Sequence, residues 1–164
     1  MSVPEAAIAA ALESFKGVEH RLEEVAEVDG VLYVNDSKAT NVAAAAVALE
    51  SFDGGVHAIL GGSVKGERFG GLREPLGRAA SAAYLIGDAA PAMEEDLAGL
   101  DVPLTVSGTL EEALAAARAA AGPGDTVLLA PACASFDQFQ DYEARGRRFK
   151  ELVRELSAAG AGQA

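Results

Sequence analysis

Four short apolar runs, at 56–60, 82–86, 103–106 and 126–130, are each followed by a turn signal and then a helical pattern. Strands separated in this way cannot pair as hairpins. They need crossover connections, which give a mostly parallel sheet with helices on both faces. The helices are expected at 70–79, 91–97, 109–121 and 141–157. Thr109 and Glu112 form a capping box for the third. In the last, Tyr142, Phe149, Val153 and Leu156 share one face, and Gly146 on that face predicts close packing. The run at 126–130 is the most apolar, so it belongs near the middle of the sheet.

Upstream the pattern changes. Residues 20–28 alternate enough to be a strand, Asp29-Gly30 is a strong two-residue hairpin signal, and 31–34 is the return strand. By spacing alone, Arg21 is a solvated strand charge. Residues 3–15 read as a helix, opened by Ser2 and Glu5, with no chemistry of its own. The return strand then stops at a polar stretch, NDSKATN at 35–41, before a helix over 42–51. A helix cap needs one such residue, Asp36 or Thr40. A cluster holding Asp36, Lys38 and Thr40 points instead to a binding loop.

Composition removes several classes. The 164 residues are half hydrophobic, enough for one domain with a real core. A net charge of −12 argues against nucleic acid as a partner. The lone Cys133 allows no internal disulfide and fits a reducing, cytoplasmic setting; in its small-residue loop it is expected to be buried and inert. No apolar run approaches the ~20 residues of a membrane span, and no signal-peptide pattern opens the chain. A monomer that meets neither membrane nor nucleic acid is expected.

Open parallel sheets bind ligands at the carboxyl ends of their strands. Three polar loops fall there, at 35–41, 61–66 and 131–138, and together they bring Asp36, Lys38, Thr40, Lys65 and Ser135 to one edge. Two ammonium groups in an acidic chain suggest an anionic ligand. Gly61-Gly62 would let a ligand approach the backbone. Ser135 and Gln138 form a capping box, so Ser135 is expected to open a helix, as a structural cap or as part of an anion site. His57 reads as a satisfied core histidine. The chain has no phosphate-binding P-loop, no dinucleotide fingerprint, no metal-ligand spacing and no serine-nucleophile elbow. A receiver-like regulator would need an acidic cluster that is not here.

Several strings carry a family resemblance: His20-Arg21, NDSKATN at 35–41, Leu60-Gly61-Gly62 with Lys65, LAPACASFDQF at 129–139, and Arg145-Gly146. Together they resemble the C-terminal domain of the Mur ligases, and most of all its D-glutamate-adding branch. The resemblance implies a Rossmann-like, mostly parallel sheet with an N-terminal antiparallel hairpin. It implies that 1–17 end a preceding central domain, that 18–157 are the amino-acid-binding domain, and that 158–164 fray. The implied chemistry is ATP-dependent and ADP-forming. ATP phosphorylates the carboxylate of UDP-N-acetylmuramoyl-L-alanine, and the amine of D-glutamate attacks the acyl phosphate, giving an amide for peptidoglycan synthesis. Arg21 and Asp36 would face ATP. Lys38, Thr40, Lys65, Ser135, Phe136 and Tyr142 would surround D-glutamate. Mg2+ and the phosphate loop would belong to the central domain, so the chain is expected not to turn over alone. Other readings are a free-standing module that binds an acidic amino acid or nucleotide, and the equivalent domain of another Mur or folylpolyglutamate ligase.

Overall fold

The computed structural model describes residues 17–162. Strands β1 (Glu23–Val28) and β2 (Val31–Asn35) form the antiparallel hairpin. Asp29 and Gly30 at its tip take φ of 53° and 79°, the left-handed pair that a tight hairpin turn requires. Helix α1 (Val42–Glu50), β3 (Val56–Gly61), a 3-10 turn (Gly70–Leu72) and α2 (Arg73–Ala79) follow. Then come β4 (Ala80–Ile86), α3 (Ala90–Asp96), β5 (Leu104–Gly108), α4 (Leu110–Ala120), β6 (Thr126–Leu129) and α5 (Tyr142–Ala161).

The sheet order is β1-β2-β6-β3-β4-β5, and every pairing beyond the hairpin is parallel. The last strand in sequence lies between β2 and β3, where its fully buried TVLL is shielded on both faces. Alternate side chains sort into two cores. Val34, Ala58, Leu60, Leu85 and Leu128 pack with Leu49, Leu76 and Met93 of α1, α2 and α3. Tyr33, Ile59, Ile86, Val127 and Leu129 pack with Leu114 of α4 and with Phe149 and Val153 of α5. The capping box of α4 forms as expected, with Thr109 accepting from the Glu112 N–H.

Several local expectations are corrected. The first strand begins at Glu23, because His20 and Leu22 have φ of 64° and 40° and cannot extend a strand. Asn41 caps α1, accepting from the Ala44 N–H at 2.8 Å. Neither Asp36 nor Thr40 is that cap, since Asn41 holds the position directly before the helix and Asp36 Oδ1 accepts from the Leu22 N–H at 3.0 Å instead. No helix opens at Ser135: the segment is a series of turns, and the next helix starts at Tyr142 with Asp141 as its cap. That last helix continues to Ala161, into the stretch expected to fray. The helix expected at 3–15 lies outside the described residues.

Candidate functional site

Because β2, β6 and β3 are neighbours running the same way, the loops leaving their carboxyl ends emerge side by side. Backbone hydrogen bonds tie them together. Ala132 N–H donates to the Ala39 carbonyl at 2.9 Å, Gly61 N–H to Pro131 at 2.8 Å, and Ser63 N–H to Ala134 at 2.8 Å. Gly62 makes the last contact feasible: its φ is 145°, and a Cβ there would strike the Ala134 carbonyl. The sequence places Lys38, Lys65 and Ser135 on these three loops, and they do share one rim.

Segment 20–22 folds back against the first loop. Lys38 N–H donates to the His20 carbonyl at 3.0 Å, and Leu22 N–H donates to Asp36 Oδ1 at 3.0 Å. His20 is itself held from behind: Asn35 Nδ2 donates to its Nδ1 at 2.9 Å. The Asn35 amide cannot turn over, because its Oδ1 accepts the Ser37 N–H at 3.1 Å and its Nδ2 also serves Glu23. This brings Arg21 off the strand and into a cleft of about 290 Å³. One wall is Arg21, Asp36 and Lys38; the other is apolar, with Leu22, Ala44 and Val47. The volume sits at the low end for ligand clefts, so it holds part of a ligand rather than a whole large one. Asp36 is 6% exposed. Burial pushes its carboxyl up to about 6, against the opposing pull of the Leu22 N–H and Arg21.

The remaining candidates lie along the same rim. The Lys65 ammonium stands 5.7 Å from the centre of the Phe136 ring, a cation–π contact. Phe136 is 66% exposed, an unusual position for a phenyl ring. Beside it Ser135 is buried, and its hydroxyl has no partner among the described residues. Thr40 is half-buried on the first loop and does not line the cleft. Tyr142 sits below: its ring meets His20 edge-on at 6.1 Å, and its carbonyl accepts the Ser37 hydroxyl at 2.7 Å. The candidates therefore fall into two groups. Lys38, expected with D-glutamate, shares the cleft with the two residues expected to face ATP. Lys65, Ser135 and Phe136 form the second group.

Cys133 is buried as expected, and burial pushes its thiol up to about 12. His57 is a satisfied core histidine, within 3.1 Å of the Tyr84 hydroxyl and 3.2 Å of Asp125. Two residues that hold the rim together, Asn35 and Arg145, were not singled out by residue chemistry. For Arg145 a signal existed: it occupies an inward position, between Tyr142 and Phe149, on an amphipathic helix.

A parallel sheet whose carboxyl edge gathers cations, hydroxyls and one buried carboxylate defines a Rossmann-like domain. Residues 20–133 match the family described as Mur ligase, glutamate ligase domain, and the chain belongs to that family. It is 56% identical over 154 residues to UDP-N-acetylmuramoylalanine–D-glutamate ligase of Solibacter usitatus, a match covering 94% of this chain and 35% of that protein. It is 52% identical over 157 residues to the ligase of the same name from Acidobacterium capsulatum, covering 96% of this chain and 34% of that one. The solved structure of UDP-N-acetylmuramate–alanine ligase from Thermotoga maritima aligns with a TM-score of 0.64 at 17% identity, over 93% of this chain and 34% of that chain. That likeness bears on the fold. The chain spans about a third of the length of the curated relatives it matches.

Proposed function

We propose that this chain is the amino-acid-gripping domain of an ADP-forming ligase that joins D-glutamate to UDP-N-acetylmuramoyl-L-alanine in the cytoplasm. The observation that carries this reading is the convergence of three loops on one rim, with Arg21, Asp36 and Lys38 in a cleft and Lys65, Ser135 and Phe136 beside it. D-glutamate brings two carboxylates. Lys65 and the Ser135 hydroxyl suit one of them, and Lys38 with Thr40 suits the other or the phosphoryl group near it. The apolar wall of the cleft suits the uncharged part of a nucleotide, with Arg21 and Asp36 at its polar end. Tyr142 would act from beneath, by holding His20 and the first loop in place.

In this reading ATP is a substrate, and its γ-phosphoryl group moves to the muramoyl-alanine carboxylate. The amine of D-glutamate then displaces phosphate from the acyl phosphate, forming the amide. This domain's residues orient the amine and, on closing over the site, keep water from the acyl phosphate. Mg2+ does not fit these residues by themselves. Among the described residues no three His, Cys, Asp or Glu side chains gather where an ion would be held, and the cleft offers one carboxylate between two cations. We assign Mg2+ and the phosphate-binding loop to the portion of the relatives' length that lies outside this chain.

The test is a coupled assay of ADP release with ATP, D-glutamate and the sugar substrate. The chain alone is expected to be silent, and adding separately produced upstream domains of a close relative is expected to restore turnover. Turnover by the chain alone would refute the division of labour. Ligand binding without any restoration would favour a free-standing binding module.

A further inference from the structure

Among the described residues Arg145 is the largest fully buried side chain, 1% exposed. It projects from α5 into the underside of the rim, and its bonds go to two different loops. Nε donates to the Ser37 hydroxyl at 2.9 Å, and one terminal nitrogen donates to the Ser37 carbonyl at 2.9 Å and the Cys133 carbonyl at 3.0 Å. The other terminal nitrogen has no partner among the described residues. It lies at the third loop, 3.2 Å from where a Cβ on Gly62 would stand. No carboxylate among the described residues lies within ion-pair distance of this guanidinium, whereas the more exposed Arg68, Arg118, Arg147 and Arg148 each have one. Asp137 acts on it only from beyond ion-pair distance, and a buried cation without a directly paired carboxylate is costly. Hydrophobic packing alone would be served better by leucine or methionine at an inward helix position.

We infer that Arg145 is the positioning residue of the rim: its fork fixes the loop carrying Lys38 against the loop carrying Ser135, so that both reach one anionic amino acid. The inference rests on the proposed reading for the identity of that ligand, D-glutamate, but not for the clamp itself. The geometry distinguishes the two groups of site residues. Arg21, Asp36 and Lys38 line a cleft formed by segment 20–22, the first loop and α1, which does not need the β6 loop. A ligand held jointly by Lys38 and Ser135 does. Loosening the fork should therefore weaken amino-acid binding far more than nucleotide binding. A lysine in its place keeps the charge but loses the planar fork, so it should not rescue.

Two measurements on the full chain test this, with Arg145→Lys, Arg145→Met and the milder Ser37→Ala. The first is the rate at which Cys133, the single cysteine, is modified by a thiol reagent under native conditions. Freeing its loop should raise that rate by at least ~10-fold, relative to a Leu114→Ala control matched for global stability in urea. Rates no faster than the control overturn the clamp, whatever the ligand proves to be. The second is titration with D-glutamate and with ATP. The Arg145 variants should lose at least ~10-fold in D-glutamate affinity, with ATP affinity within about twofold. Equal losses for both would mark a merely structural residue and overturn the inference. If the unaltered chain binds no D-glutamate, the functional reading fails and the cysteine measurement alone decides the clamp.

Discussion

Lys65 and Asp36 show what single residues contribute to the rim. Lys65 is exposed, and its ammonium lies over the face of Phe136. It is free to take a carboxylate at little cost in protein stability. Lys65→Ala, in a ligase reassembled with its upstream domains, should raise the D-glutamate requirement by roughly 10- to 100-fold, the loss of one charge-assisted bond. An unchanged KM removes Lys65 from the site. Asp36 makes a prediction about pH. Its folded value of about 6 lies above the ordinary 3.8, so the folded state holds a proton that the unfolded chain has lost. Stability should therefore fall as pH rises from about 4 to about 6 and then level, by at most about 3 kcal/mol and by less to the extent that water screens the carboxylate. Asp36→Asn keeps an oxygen for the Leu22 N–H and removes the charge. It should flatten that slope and raise the pH 7 melting temperature by a few degrees. A parallel pH–stability curve in the two proteins would show that Asp36 ionises at no cost. The identities of Asp36, Lys38, Lys65 and Ser135 as rim residues were legible in the sequence, because each follows an apolar run and polar loops at strand ends are the usual ligand sites. The sharing of Lys38 with Arg21 was not, since it depends on segment 20–22 leaving the strand.

At the scale of elements, α5 does two things at once. Its apolar face packs Phe149 and Val153 into the core, and its first turns deliver Tyr142 and Arg145 to the underside of the rim. Gly146 makes this approach feasible, because a Cβ there would collide with the His20 imidazole. His20 in turn supports Lys38 through its carbonyl. Gly146→Ala should cost about 1–3 kcal/mol, as overpacking does, read as a lower urea midpoint. An unaltered midpoint would mean that α5 can slide without loss. The close packing at Gly146 was foreseen from its place on the inward face; its partner was not. The helix wrongly expected at Ser135 has a similar cause. Ser-x-x-Gln matches a capping box, but a cap must aim its oxygen at the following N–H groups. Here the hydroxyl is buried without a partner among the described residues, and the backbone follows turns down to Asp141.

For the whole molecule, one sheet between two helical layers carries every loop of the rim, so occupation of the rim should be felt by the entire fold. Ligand that binds the folded chain at a hundred times its Kd adds about 2.7 kcal/mol. For a chain of this size that corresponds to roughly 5–10 °C in melting temperature. ATP and D-glutamate should each raise it, and together more than either alone; flat melting curves with both would contradict binding by this domain. What the sequence determined by itself was local and periodic: the alternation of apolar runs and helices, the Asp29-Gly30 turn, the Thr109 cap, and the polar loops after strands. Those follow from backbone preferences and from which faces must leave water, and both are written in short stretches of residues. Tertiary structure alone decided which loops meet and what holds them. The insertion of β6 between β2 and β3 set the 35–41 and 131–138 loops side by side, and a helix from the far end of the chain supplied the guanidinium that joins them. Contacts between residues more than a hundred positions apart leave no periodic trace in the sequence, because they arise only once the strands have found their order.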